Sequence, residues 1–104
     1  MARSYSAKFL TELQSNDSDG LGVQLAKLCT TAGIPAAYVA AAVKTSRVTV
    51  YGWFRGQGVR EKNRPRVEAL IALLRKDFDE GILPIDSPLE AKRYIEQLAG
   101  VQID

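Results

Sequence analysis

Residues Ala36 to Gly56 read AAYVAAAVKTSRVTVYGWFRG. The stretch divides into a short alanine- and valine-rich segment, a polar Lys44-Thr45-Ser46 break, and a second segment of mixed character. In the first, Ala40, Ala41 and Ala42 let another backbone approach closely, while Val39 and Val43 supply a buried side. Ser46 is a natural N-cap for the second, because its hydroxyl oxygen can accept one of the free N–H groups of a first helical turn. At about 100° per residue, Arg47, Val48, Tyr51, Gly52 and Arg55 form one arc, and Thr49, Val50, Trp53 and Phe54 form the opposite one. Val50, Trp53 and Phe54 are therefore expected to anchor this helix, contributing several kcal/mol at roughly 25 cal/mol per Å² of apolar area. The outward arc is unusual for a surface helix. Val48 and Gly52 leave an apolar hole between Arg47, Tyr51 and Arg55, which predicts that something other than water meets that face.

Charge supports the same segment. The 104 residues carry a net charge of +2, but it is unevenly spread. Residues 36–66 hold Lys44, Arg47, Arg55, Arg60, Lys62, Arg64 and Arg66 against Glu61 alone, a net +6. Residues 1–35 are neutral, and residues 67–104 hold four basic against eight acidic residues, a net −4. Positive charge gathered on and just after one helix pair is the footprint of a phosphate-binding face.

Outward from this pair, the chain reads as helices throughout, and a single domain is expected over 1–104. Tyr5, Phe9, Leu10 and Leu13 give an apolar stripe over Ser4 to Leu13, followed by an acidic linker to residue 19 in which Asp17 or Asp19 is expected to cap the next helix. The Ser15-Asn16-Asp17-Ser18-Asp19-Gly20 loop is not a calcium loop: aligned on Gly20, it puts Ser15 at the first ligand position and Ala26 where a bidentate Glu belongs. A helix over about Leu21 to Ala32 buries Leu21, Leu25, Leu28 and Cys29 and stops at Gly33. Pro35 falls in the first turn of the helix that ends near Val43. Beyond Gly56-Gln57-Gly58 and the basic loop Arg60-Glu61-Lys62-Asn63-Arg64, Pro65 opens a long helix with Val67, Leu70, Ile71, Leu74 and Phe78 at helical spacing, closed by Gly81. Residues 81–104 carry a last helix, begun by a capping box at Ser87-Pro88-Leu89-Glu90, with Leu89, Tyr94, Ile95 and Leu98 as its stripe.

The pattern Val39-Ala40-x-x-Val43-x-x-Ser46-Arg47-x-Thr49-Val50-Tyr51-x-Trp53-Phe54-Arg55-Gly56 resembles the helix-turn-helix of lambda-repressor-like and Cro-type regulators, and the likeness extends over about Leu21 to Phe78. It implies an all-α domain of about five helices, with a core over 20–80 and an extra helix at each end. It further implies a transcriptional regulator that binds duplex DNA sequence-specifically, with the 46–55 helix in the major groove. Arg47, Val48 and Gly52 are then the base-reading residues. Arg47 would form a bidentate pair with guanine, Val48 would pack on a thymine methyl, and Gly52 would let the backbone come close. Lys44, Ser46, Thr49, Tyr51, Arg55, Arg60, Lys62 and Arg64 are the phosphate-binding set. Short basic arms enter the groove in some relatives, which makes Met1-Ala2-Arg3-Ser4 a candidate arm. The resemblance also implies a homodimer reading half-sites about 34 Å apart, with the last helix as dimerisation element or core cover, in a bacterial or phage-infected cytoplasm. The chain departs from the family at Lys44, where glycine is usual, and at Ala36, where glutamine often contacts DNA.

A second class of function is a protein-interaction module of the same fold that contacts a polymerase, a toxin or another phage or bacterial protein. Val48 and Gly52 suit a protein surface too. An enzyme is not expected. The chain has no histidine and one cysteine, Cys29, and the Asp77, Asp79 and Glu80 cluster lacks the partners a metal site would need, so no metal or cofactor is expected. No apolar run reaches the length of a membrane span.

Overall fold

The computed structural model describes residues 5–103, and the Met1–Ser4 segment considered as a groove-entering arm lies outside them. Among the described residues there are six α-helices and no strand: α1 (Ala7–Gln14), α2 (Leu21–Ala32), α3 (Ala36–Val43), α4 (Arg47–Phe54), α5 (Arg64–Asp79) and α6 (Pro88–Ala99). A single 3-10 turn, Glu61–Asn63, leads into α5. The all-α expectation therefore holds for the described chain.

Most helix ends follow from local chemistry. Ser46 accepts from the Thr49 N–H and Ser87 from the Glu90 N–H, so both expected caps are present. Gly33 ends α2 with φ 83°, a conformation a side chain would resist. Three ends differ from expectation. Ser6, not Ser4, begins α1 by accepting from the Phe9 N–H, which leaves Tyr5 ahead of the helix and not on its stripe. Neither Asp17 nor Asp19 caps α2; its N-cap is Gly20, and the linker folds on itself through Asn16 Oδ1 accepting from the Ser18 N–H and Ser18 Oγ accepting from the Gly20 N–H. Such local side-chain turns compete with capping, and here they win. Pro35 is the N-cap of α3 and does not lie within its first turn.

The core is apolar apart from the hydroxyl of the buried Tyr5, and no charged side chain is buried among the described residues. α2 lies at its centre and packs against α1, α4 and α5, while α3 packs against α4 and α6. Leu25, Cys29, Ile34, Val39, Val43, Val50, Phe54, Val67, Leu74 and Ile95 are fully buried within it. Burial pushes the Cys29 thiol far above its ordinary value, which fits its expected role as a small core hydrophobe. α6 covers the core through Ala91 and Ile95, but Leu89, expected on the same stripe, is 56% exposed. At about 100° per residue it lies roughly 120° or more around the helix from Ala91, Tyr94, Ile95 and Leu98, so it falls on the opposite face.

The corner between α2 and α3 gathers distant segments. The Tyr5 hydroxyl donates to the Ile34 carbonyl oxygen at 2.6 Å, and the Ile85 N–H, from the loop before α6, donates to the Ala32 carbonyl oxygen at 2.9 Å. Gly22 provides the closest helix approach: a Cβ there would collide with the backbone carbonyl of Trp53, so α2 meets α4 nearly backbone to backbone.

Candidate functional site

Val50, Trp53 and Phe54 are buried and fix α4 to the core, as their spacing predicts. A second anchor comes from α1. Phe9 stands edge-on to Tyr51 at 6.5 Å between centroids and stacks on Phe54 at 6.3 Å, with Tyr5 6.2 Å from Phe54. Offset and edge-on pairs at these separations are favourable beyond the area they bury. Tyr51, expected on the outward arc as a phosphate contact, is accordingly half-buried against α1.

The start of α4 remains open to solvent. Lys44, Ser46, Arg47 and Val48 are exposed, with Thr45 half-buried among them, and Val48 is 82% exposed. Lys44 adopts φ 58°, the left-handed turn that would suit glycine, so the strain expected for this position is present. Ser46 Oγ accepts from the Thr49 N–H at 3.1 Å and lies 2.9 Å from Thr49 Oγ1, which pairs the two hydroxyls within the cap. The first turn of α4 contains no acidic residue. A helix N-terminus carries partial positive charge, and Arg47 adds a full one to it, so this end favours an anion.

Arg55, Arg60, Lys62 and Arg64 are all exposed. Arg55 is the C-cap of α4, and the other three surround the 3-10 turn that opens α5. That turn lies near the α3–α4 break, because Arg66 directs its Nη1 to the Val43 carbonyl oxygen at 3.5 Å, against the negative end of α3. Arg66 thus joins the two basic segments. Among the described residues the one ion pair, Lys76 with Glu80 at 3.8 Å, lies on α5, and none of the candidate cations has an acidic partner. Ala36 is buried and presents no polar group.

Gly52 departs most from expectation. It is buried, not an open gap in the helix face, because the side chain of Gln57 folds back across it; a Cβ at Gly52 would meet Gln57 Oε1. Thr49, assigned by the wheel to the inner arc, is half-exposed. Helical periodicity ends at Phe54 and gives no account of a residue beyond it, so Gln57 was invisible to that reading; only the glycine on each side marked a chain reversal.

Asp77, Asp79 and Glu80 have separate surroundings. Asp77 accepts a hydrogen bond from the Tyr94 hydroxyl, Glu80 pairs with Lys76, and Asp79 is exposed. Among the described residues no group of three or more His, Cys, Asp or Glu could hold a metal ion, and no helix is long and apolar enough to cross a membrane. No protein-family model, curated protein or solved structure matches the chain.

Proposed function

We propose that this chain is a lambda-repressor-like helix-turn-helix protein that binds duplex DNA sequence-specifically as a homodimer and regulates transcription. One observation carries the reading: Val48 is 82% exposed beside Arg47 at the N-terminus of a helix rigidly backed by Val50, Trp53 and Phe54. A helix of this size fits the major groove with its first turns against base edges, where Val48 meets a thymine methyl and Arg47 meets guanine. Lys44, Arg55, Arg60, Lys62 and Arg64, free of acidic partners among the described residues, supply sequence-independent phosphate attraction. Dimerisation follows from the shortness of α4, which reads too few base pairs alone.

Fluorescence anisotropy with random-sequence duplex at rising salt tests the reading. Affinity should fall by about 0.9 log units per log unit of salt for each phosphate neutralised. Selection from a random duplex library should then return a palindrome. If no duplex binds at low salt, the proposal fails, and a protein partner for the Val48 face becomes the reading to pursue.

A further inference from the structure

We propose that Gln57 is a base-reading residue of this interface and that the bound duplex carries an A·T pair opposite it. The inference rests on the duplex-binding reading above. Positions 48, 52 and 55 share one face of α4 by helical spacing, and Gly52, between an exposed Val48 and an exposed Arg55, brings no side chain of its own. Gln57 supplies one. Gly56 takes φ 107° and donates its N–H to the Trp53 carbonyl oxygen at 2.9 Å, after which the Gln57 N–H donates to the Gly52 carbonyl oxygen at 3.0 Å. The chain is thereby turned back on the helix, and the Gln57 side chain lies across the Gly52 backbone while remaining exposed.

One backbone bond, from its N–H to the Gly52 carbonyl oxygen, holds the Gln57 main chain, while its amide group has no hydrogen-bond partner among the described residues. An amide offers one acceptor and two donors side by side. That pattern matches adenine, whose major-groove edge presents N6–H₂ as donor and N7 as acceptor, whereas guanine presents two acceptors there. Gly52 is then small for a reason different from close backbone approach: any Cβ would displace the amide from its place on the helix face.

The full chain, Gln57→Ala, Gln57→Glu and Gly52→Ala are each taken through selection from a random duplex library, with thermal unfolding recorded in parallel. The unaltered protein should select a motif containing an A·T pair whose preference is about 5- to 150-fold. Gln57→Ala should erase that preference at the one position and leave the others, and Gln57→Glu should move it to C·G, since a carboxylate accepts from cytosine N4. Gly52→Ala should lose the same preference without losing thermal stability, which separates reading from folding. If the unaltered protein selects a motif that all three variants share, or if Gln57→Ala weakens every sequence equally, Gln57 does not read bases although duplex binding stands. If the unaltered protein selects nothing, the duplex-binding reading itself is wrong.

Discussion

The Tyr5 hydroxyl donates to the Ile34 carbonyl oxygen at 2.6 Å, across 29 positions of sequence, in a buried setting. Tyr5→Phe leaves that carbonyl without its donor at little cost in packing, and should destabilise the fold by about 1–3 kcal/mol in urea unfolding. The bond also sets a pH response. Burial raises the Tyr5 phenol well above its ordinary value of 10.0, so the folded state holds the neutral form. A group of this kind contributes fully below its unfolded-state value and loses that contribution as pH rises toward the folded one. Stability should therefore decline above about pH 10, more steeply in the unaltered protein than in Tyr5→Phe. Equal slopes in the two proteins would contradict the assignment.

Gly22→Ala inverts the usual helix rule. In an open helix interior the change gains roughly 1 kcal/mol, but here the new Cβ would strike the Trp53 carbonyl, a backbone atom that cannot swing aside. Overpacking of this kind costs about 1–3 kcal/mol, and a lowered melting temperature is expected. A stabilised variant would show that α2 and α4 have more room between them.

Lys44→Gly should divide stability from binding. Relief of the left-handed φ of 58° should raise unfolding stability by about 1 kcal/mol. If Lys44 neutralises a phosphate, the same variant should bind duplex more weakly and flatten the log–log salt slope by about 0.9. A stabilised variant with an unchanged slope removes Lys44 from the phosphate set.

Arg47→Ala and Lys62→Ala test the division between reading and positioning. The first should cost about 1–3 kcal/mol of binding and relax preference at one base pair; the second should weaken all sequences nearly equally. Competition binding against single-base variants of the selected site distinguishes them. Both side chains are exposed, so neither change should alter unfolding by more than about 0.5 kcal/mol.

What could be read from sequence divides along physical lines. Ser46, Ser87 and Gly33 act within a few residues of themselves, and Val50, Trp53 and Phe54 follow a helical period, so caps and core anchors were legible. The exposure of Val48 and Arg47 was legible for the same reason. Features set by the return of the chain were not. Gln57 over Gly52 depends on a reversal at Gly56, Tyr51 is half-buried because α1 crosses it, and Gly22 faces Trp53 through a close approach of two helices. Leu89 is apolar like the α6 stripe, but its spacing from Ile95 and Leu98 puts it on the opposite face, where it is exposed. Asp17 and Asp19 had the chemistry of caps, yet Asn16 and Ser18 closed the linker first.

The corner at Ala32 to Ile34 fastens Tyr5 from one end of the described chain and Ile85 from near the other. Neither outer segment can loosen without exposing carbonyl groups in the middle, which ties local opening to loss of the whole. The Ile85 amide should accordingly exchange its hydrogen as slowly as amides inside α2, although it belongs to a loop. α4 in turn rests its Tyr51 and Phe54 rings on Phe9 of α1, which ties that helix to the same end of the described chain.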